Sequence, residues 1–218
     1  MADIDQNIAV DKSRRSCMMT IMRHAKLNAR AAAKEASHER IVTAAARAIR
    51  RSGYDGTGVA DIMKEAGLTH GAFYAHFKSR EAMLAEAADR AGAESFAAAA
   101  NVAASVSRKM TLASMLGAYL SKEHLEHVEI GCPMAALGSE TPRQAPEVRR
   151  VATRRIKEMI DLIARQLPGW GKPGAHERAL VTVATMVGAL LLARAVDEPE
   201  LSDSLRKAAL RHLTSTDS

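Results

Sequence analysis

The sequence is poor in aromatic residues and in cysteine, and each shortage argues against a class of structure. Only 3% of the 218 residues are aromatic, and alanine-rich stretches recur, as at 31–33 and 97–100. Strands favour aromatic and β-branched residues, whereas alanine is the best helix former, so a mainly β protein is disfavoured. The two cysteines, Cys17 and Cys132, form no CxxC pair. This rules out a disulfide framework and a cysteine-rich zinc module, and it fits a reducing compartment.

Proline is absent from the first 132 residues. The six prolines are Pro133, Pro142, Pro146, Pro168, Pro173 and Pro199. Because proline is the strongest helix breaker, helices before residue 133 have to be divided by glycines and capping residues. The prolines then interrupt the second half at 133–146, at 168–173 and near 199.

A membrane-spanning hydrophobic run is also lacking. The longest apolar stretch, 180–196, contains Thr182, Thr185 and Arg194, and it is shorter than the roughly 20 residues that a spanning helix needs. We interpret it as a buried or interface helix. Early aspartates, with no apolar segment behind them, argue against a secretory signal, so we expect a cytoplasmic protein with no membrane partner.

The positive charge is concentrated in the first third of the chain. Residues 1–80 contain 14 Lys and Arg against 8 Asp and Glu, a net charge of +6, whereas residues 81–218 contain 17 of each. A basic segment on a neutral body indicates a polyanionic partner, although a basic tail that only improves solubility gives the same pattern.

Helical periodicity and capping residues predict eight or nine helices. Ser37 is a candidate N-cap, and Gly53 and Gly67 are candidate terminators; Thr69 and Ser79 are further candidate caps. Arg50, with Arg40, Arg47 and Arg51, is expected on faces of the first helix away from its core stripe. The predicted helices are 38–52, 58–65, 70–76, a long helix from 79 past 100, and then 110–130, 147–167, 175–196 and 201–213.

The three short helices of residues 38–78 have the spacing of a helix-turn-helix. Ala66, Gly67, Leu68 and Thr69 join the second helix to the third, and such a turn sets the third helix to enter a DNA major groove. Phe73 and Phe77, four residues apart, are expected in the core, which leaves the adjacent Tyr74 pointing outward.

These residues resemble the DNA-binding domain of the TetR family of transcriptional regulators. The resemblance covers about 45 residues and includes Gly53, Thr57, Val59, Ile62, Ala66 to Thr69, Gly71, Phe73-Tyr74, His76-Phe77 and Leu84. It implies an all-α fold in which an N-terminal three-helix helix-turn-helix domain is joined by a long helix to a C-terminal antiparallel helical bundle. It also implies a homodimer, a ligand-binding bundle, and loss of DNA binding when ligand is taken up.

The resemblance assigns roles within this segment. Thr57 is similar to the family's phosphate-contacting hydroxyl residue, and Tyr74, His76 and Lys78 match its phosphate-contacting tyrosine, histidine and lysine. Arg80 stands where the family often has lysine, a change in geometry rather than in charge. The front of the recognition helix is formed by Thr69, His70, Gly71 and Ala72. Of these, Thr69 and His70 are the expected base readers, whereas Ala72 offers only an apolar contact, such as to a thymine methyl.

We therefore divide the chain into three parts. Residues 1–36 are expected to form a flexible basic arm, helical toward its end, that reaches along the DNA backbone or into a minor groove. Residues 37–80 form the helix-turn-helix domain, and residues 81–218 form the ligand-binding and dimerisation domain. We expect no cofactor.

The C-terminal part contains candidate residues for a ligand pocket. Methionine adapts to irregular cavities, although it fills cores more often than it lines pockets. The candidates are Met115, Tyr119, Cys132 and Met134. Cys132 resembles the cysteine of a Gly-Cys segment in a subset of TetR-like regulators, some of which sense electrophiles. A helix beginning at Pro133 would increase its reactivity, but a small buried hydrophobic role explains it equally well.

Two histidines offer a weaker alternative. His124 and His127, three residues apart, could bind a metal ion, but no third ligand is evident and the spacing is not HExxH. We interpret them as surface histidines.

Small and apolar residues make the last two helices candidates for dimerisation, although burial within one subunit gives the same pattern. The resemblance to the TetR family implies a two-fold four-helix interface. The candidates are Val181, Ala184, Thr185, Gly188 and Leu192, with Leu205 and Ala209.

The function favoured by these features is a ligand-responsive repressor. It would bind a palindromic operator in double-stranded DNA as a homodimer, and a small molecule or an electrophile would release it. A protein–protein adaptor with an inactive helix-turn-helix is the first alternative. An enzyme is the least favoured class, because the sequence has no phosphate-binding glycine loop, no GxSxG elbow and no set of metal ligands.

Overall fold

Helices and short connections form the part of the chain that the structure describes. The computed structural model describes residues 2–107 and 110–215, with side chains for 25–107, 110–172 and 174–215. Within these ranges there are nine α-helices and no strand, which confirms the predicted all-α class. They are α1 (Ala2–Ser52), α2 (Val59–Glu65), α3 (Arg80–Ser105), α4 (Thr111–Tyr119), α5 (Lys122–Glu126), α6 (Pro133–Leu137), α7 (Pro146–Ala164), α8 (Pro173–Ala195) and α9 (Pro199–Ser215).

Helix α1 extends much further toward the N-terminus than the periodicity predicts. Residues 2–36, expected as a flexible arm, are helical, and Ser37 lies inside the helix instead of capping it. The first 52 residues contain neither glycine nor proline and are rich in alanine, so nothing in them stops a helix. The chain divides into two compact units, Met1–Ile41 and Val42–Ser218.

The basic residues of this segment are described only in part. Lys26, Arg30 and Lys34 are exposed on α1. The side chains of Lys12, Arg14, Arg15, Cys17 and Arg23 lie outside the described residues.

Two glycines end helices in the left-handed region, as the sequence predicts. Gly53 follows α1 with φ 78°, and Gly67 follows α2 with φ 70°. The N–H of Gly67 donates to the carbonyl of Lys64 at 3.0 Å, and the N–H of Leu68 donates to that of Met63 at 2.8 Å. This pair of hydrogen bonds is a Schellman motif, which reverses the chain sharply between α2 and the recognition segment.

The prolines start helices as much as they interrupt them. Pro133, Pro146, Pro173 and Pro199 are the first residues of α6 to α9. The first helical position suits proline, because its missing N–H would have no partner there anyway.

The predicted helix 110–130 is wrong. It is divided into α4, α5 and a 3-10 turn at Val128–Ile130. Ser121 causes the first break, because its hydroxyl accepts a hydrogen bond from the N–H of His124 at 3.1 Å and caps a new helix.

Helices α3, α4, α7, α8 and α9 surround the main hydrophobic core. Helix α3 packs on α7, and α8 packs on both α7 and α9. The stretch Gly174–Ala195 of α8 has a mean hydropathy of 1.5, enough to cross a membrane by length and composition alone. Core helices of soluble proteins share this property, and the buried Val183, Met186 and Leu190 pack within the bundle.

Candidate nucleic-acid interface and ligand cavity

Aromatic packing orients the recognition segment. Phe73 and Phe77 are each 3% exposed and stack with ring centroids 5.6 Å apart. Tyr74 meets the edge of Phe73 at 5.3 Å and is 74% exposed. The expected arrangement, with two phenylalanines inside and the tyrosine outside, is confirmed.

The segment itself is a 3-10 helix, His70–Ala75, where the sequence predicted an α-helix at 70–76. We call His70–Ala75 the recognition helix. Thr69 occupies the predicted N-cap position in extended conformation, but its side chain makes no capping hydrogen bond. Thr69, His70 and Gly71 are exposed and Ala72 is half-buried. A Cβ at Gly71 would meet no described atom within 4 Å, so this front is open to an approaching surface.

Thr57 is placed differently from the other predicted DNA contacts. Its side chain is 5% exposed, and its hydroxyl donates to the carbonyl of Gly53 at 2.7 Å. Arg80 holds the same loop, because its guanidinium donates to the carbonyls of Tyr54 and Thr57. Both side chains therefore stabilise the connection between α1 and α2 from within.

The residues after the recognition helix lead into α3. His76 is half-buried beside the ring of Phe77, with centroids 6.5 Å apart, and Lys78 is exposed. Ser79 caps α3 as predicted, since its hydroxyl accepts from the N–H of Ala82 at 3.1 Å. Tyr74 and Lys78 therefore offer a phenol and an ammonium group to solvent on either side of His76.

Arg50 is buried, contrary to the prediction from the sequence. It was expected on a solvent-facing side of α1 but is 2% exposed. Its guanidinium donates to Glu94 Oε2 at 2.7 Å, to the Gly131 carbonyl at 3.3 Å and to the Ala46 carbonyl at 3.0 Å. A single buried cation thus links the last turns of α1 to α3 and to the segment before α6. No local pattern could reveal this, because its partners lie 44 and 81 residues away.

A second link joins the end of α1 to the α6–α7 connection. The carboxylate of Glu140 accepts the N–H of Tyr54 at 2.8 Å. A Cβ at Gly53 would lie 2.6 Å from Glu140 Oε1, so a side chain there would displace this carboxylate, and the positive φ of Gly53 also favours glycine.

A cavity of about 250 Å³ lies between α3, α4, α7, α8 and the 121–134 segment. Met115, Tyr119, Cys132 and Met134, the four candidate ligand-binding residues, all line it. Cys132 is the N-cap residue of α6, with Pro133 next to it as expected, and is 2% exposed. Most of the remaining wall is apolar.

His124 is part of this wall, so its interpretation as a surface histidine is wrong. Its Nδ1 lies 2.6 Å from the Tyr119 carbonyl, and its Nε2 accepts the N–H of Cys132 at 2.8 Å. Because Nε2 accepts, the proton of the neutral ring is on Nδ1. Burial lowers the pKa of His124, and the nearby Arg194 adds to this effect, whereas the bond to Tyr119 opposes it. Among the described residues, no group of three His, Cys, Asp or Glu side chains could hold a metal ion.

The predicted dimer residues of α8 form an exposed stripe. Val181 is 56% and Leu192 is 50% exposed; Ala184 is exposed, and Thr185 and Gly188 are half-buried. A Cβ at Gly188 would meet no described atom within 4 Å, which leaves room for a close approach. On α9, Leu205 and Ala209 are half-buried, and Ala209 packs against a core cluster of its own subunit.

Two family models match the chain. The model described as bacterial regulatory proteins, tetR family, matches residues 41–87. The model described as the C-terminal domain of LmrA/YxaF-like transcriptional regulators matches residues 110–209.

Individual relatives agree with these matches. An HTH-type transcriptional regulator of Mycobacterium tuberculosis strain H37Rv is 32% identical over 169 residues, which is 72% of this chain and 83% of the relative. LmrA, an HTH-type transcriptional regulator of Bacillus subtilis, is 28% identical over 72% of this chain and 85% of its own length. A TetR transcriptional regulator from Chloroflexus aurantiacus superposes with a TM-score of 0.70 at 28% identity, covering 84% of this chain and 94% of that structure.

Proposed function

The chain belongs to the TetR family of bacterial transcriptional regulators, and from this we propose that it is a ligand-responsive repressor that binds a palindromic operator as a homodimer. Its DNA-binding helix-turn-helix and its class as a regulator, not an enzyme, follow from the family. The repressor role, the operator symmetry, the dimer, the effector and a cytoplasmic location are parts of the proposal.

The DNA-binding part of the proposal is carried by the exposed surface of the recognition helix. Thr69 and His70 present their side chains there for base readout, and Gly71 allows the backbone to come close. Tyr74 and Lys78 bind phosphates beside it, with His76 between them. Because the hydroxyl of Thr57 is used by Gly53, we assign Thr57 to positioning the α1–α2 loop instead of to phosphate binding.

The homodimer is supported by the exposed apolar stripe on α8. Three large hydrophobic side chains of that helix, Leu180, Val181 and Leu192, are 44% to 56% exposed. Contiguous exposed apolar surface of this kind marks association sites. A second copy of α8 across a two-fold axis would cover the stripe, and a two-fold dimer matches a palindromic operator.

Regulation requires a ligand whose affinity differs between two states of the protein. The cavity is suited to this role, because the carbonyl of Gly131 in its wall accepts a hydrogen bond from Arg50 of α1. A ligand that displaces this segment would shift the helix-turn-helix away from the geometry that matches successive major grooves. An electrophile entering the cavity would act at the same place by reacting with the Cys132 thiol.

The salt dependence of DNA binding tests the proposal. Affinity for the DNA upstream of the protein's own gene is measured over a series of salt concentrations, with a random duplex of equal length as the control. We expect tighter binding to the upstream DNA and a linear fall of log affinity with log salt concentration. Affinity that does not change with salt, or that equals affinity for random DNA, contradicts the proposal and favours the adaptor alternative.

A further inference from the structure

The hydroxyl of Tyr119 is buried at the cavity and has no hydrogen-bond partner among the described residues. The side chain lines the cavity, and its ring is partly accessible from that side. A buried hydroxyl without a partner costs free energy, so native proteins rarely keep one unless water or a ligand satisfies it. The neighbouring Cys132 thiol is only a weak hydrogen-bonding group.

The phenol of Tyr119 is held as a hydrogen-bond donor. Burial, and after it the adjacent Cys132, raise the pKa of Tyr119 well above its ordinary value, so the hydroxyl keeps its proton at neutral pH. The ring stands edge-on to His124, with centroids 4.7 Å apart at 84°. Because His124 is itself fixed by two backbone hydrogen bonds, the direction of the phenol is set before any ligand arrives.

Two of the polar side chains near Tyr119 are already engaged. Both ring nitrogens of His124 bond to backbone groups. Arg155 also lines the cavity, but its guanidinium is neutralised by Asp89 at 2.6 Å and Glu158 at 2.7 Å.

Charge and wall composition limit the ligand further. The guanidinium of Arg194 donates to the carbonyls of His124 and Leu125, has no acidic partner within the described residues and lies near Tyr119, which favours an electron-rich oxygen there. The carboxylate of Glu123 in the cavity wall disfavours an anion. A full negative charge would lose its hydration in a mostly apolar cavity. The apolar part of the wall includes Phe96, Val102, Met115, Ile130, Met159 and Met186.

We propose that the cavity binds a small, uncharged, largely apolar molecule that carries one hydrogen-bond-accepting oxygen of the carbonyl type, to which the hydroxyl of Tyr119 donates. The inference rests on the ligand-binding role proposed above and specifies its chemistry. Tyr119 is the residue that selects such an oxygen over an alkyl group of the same shape.

Three naphthalenes of similar size test the ligand class by equilibrium dialysis. The ketone 2-acetonaphthone carries the acceptor, 2-ethylnaphthalene lacks it, and 2-naphthoate carries a full negative charge. We expect the ketone to bind wild-type protein about tenfold more tightly than the ethyl compound, as one good hydrogen bond in a buried site allows. We also expect it to bind more tightly than the carboxylate.

The variant Tyr119→Phe should remove the preference for the ketone and leave the ethyl compound unaffected. Since the hydroxyl has only the weakly bonding Cys132 thiol beside it, the variant should keep the melting temperature of the wild type. Tyr54→Phe, which removes a buried hydroxyl that is not in the cavity wall, is the matched control and should keep the preference. Equal binding of ketone and ethyl compound by wild-type protein, tightest binding of the carboxylate, binding of none of the three, or a preference that survives Tyr119→Phe would each overturn the proposal.

Release from upstream DNA is measured in a separate assay. A ketone that binds through Tyr119 without weakening DNA binding leaves the ligand class standing and contradicts ligand-responsive regulation. Release by a charged ligand that binds independently of Tyr119 contradicts the ligand class and leaves regulation standing.

Discussion

The guanidinium of Arg50 and the carbonyl of Gly131 lie 3.3 Å apart, so the last turn of α1 is hydrogen-bonded to the wall of the cavity. The surroundings of Gly131 leave no room for a side chain at this position. A Cβ at Gly131 would lie 2.8 Å from His124 Nε2 and 3.1 Å from Arg194 Nη2. The position of this carbonyl is therefore sensitive to small changes on the cavity side.

Gly131→Ala should weaken DNA binding without any ligand present. The new methyl group has to push the 130–132 segment away from His124, which moves the carbonyl that holds Arg50. We expect a loss of operator affinity of about tenfold and a melting temperature lowered by a few degrees, since overpacking costs about 1–3 kcal/mol. Gel-shift titrations and calorimetry measure the two quantities.

Gly117→Ala is the matched control for this variant. A Cβ at Gly117 would meet no described atom within 4 Å, and the residue lies inside α4. It should stabilise the protein by about 0.5–1 kcal/mol and leave DNA affinity unchanged. If Gly131→Ala also left DNA affinity unchanged, the link from the cavity to α1 would not control DNA binding.

Arg50→Met should be strongly destabilising despite its similar length and apolar character. It leaves the carboxylate of Glu94 and the carbonyl of Gly131 without their donor, at a cost of about 2–3 kcal/mol. Urea unfolding gives the free energy. Arg47→Met, in the exposed position one turn earlier, is the control and should change it by less than about 0.5 kcal/mol. Equal effects of the two substitutions would show that the buried hydrogen bonds of Arg50 add nothing to stability.

Lys78→Ala should weaken binding to all DNA sequences by a similar factor. If the exposed ammonium contacts a phosphate, its removal lowers the slope of log affinity against log salt by about 0.9. A slope that is unchanged in Lys78→Ala contradicts the assignment of Lys78 to phosphate binding.

His70→Ala should reduce the preference for upstream over random DNA, since a base contact is worth about 1–3 kcal/mol.

The sequence predicts the helix-turn-helix better than the rest because its determinants are local. Gly53 and Gly67 end helices through their own backbone freedom, and Phe73 and Phe77 share one face by spacing alone. The phosphate contact expected of Thr57 depends on a detail that the sequence pattern does not show. The hydroxyl of Thr57 already donates to the carbonyl of Gly53.

The cavity depends on contacts between residues that are distant in the sequence, so less of it could be predicted. The composition indicated apolar lining residues such as Met115 and Met134. It gave no sign that His124 binds the N–H of Cys132 or that Arg50 reaches Gly131, because charged and imidazole groups usually lie at the surface and only the assembled fold brings their partners to them.

Acidification should destabilise the protein through His124. Its pKa in the folded state is lowered, chiefly by burial, so the unfolded chain takes up a proton near its ordinary pKa while the folded protein does not. The free energy of unfolding is therefore fully retained above about pH 6.5 and decreases as pH falls from there toward the folded-state pKa. Protonation would also end the acceptance of the N–H of Cys132 by Nε2.

Melting temperatures between about pH 7.5 and pH 5.5 test this prediction. His124→Gln should reduce the dependence of the melting temperature on pH, whereas His176→Gln, at an exposed position of α8, should leave it as in the wild type. The same dependence in all three proteins would mean that other groups titrate in this range.

Val181→Arg should convert the proposed dimer to monomers. A charged side chain at the centre of a face that packs against its own copy meets an identical charge across the two-fold axis, which costs several kcal/mol. Light scattering coupled to size exclusion gives the mass, and we expect operator affinity to fall together with it. Ile156→Arg makes the same change at a partly exposed position of α7 and should preserve the mass. A monomeric wild-type protein would refute the α8 interface.

The shortness of the recognition helix limits how much information one subunit can extract from DNA. Six residues in 3-10 geometry span about 12 Å, which corresponds to about four base pairs. A given four-base-pair sequence occurs by chance about once in every 256 base pairs, which is too often to single out one site among the roughly million or more sites of a genome. Two such sequences at a fixed spacing occur together only rarely. In the proposed dimer, the concentration of the protein in the cell sets how much of it is paired, and therefore also how selectively it reads the genome.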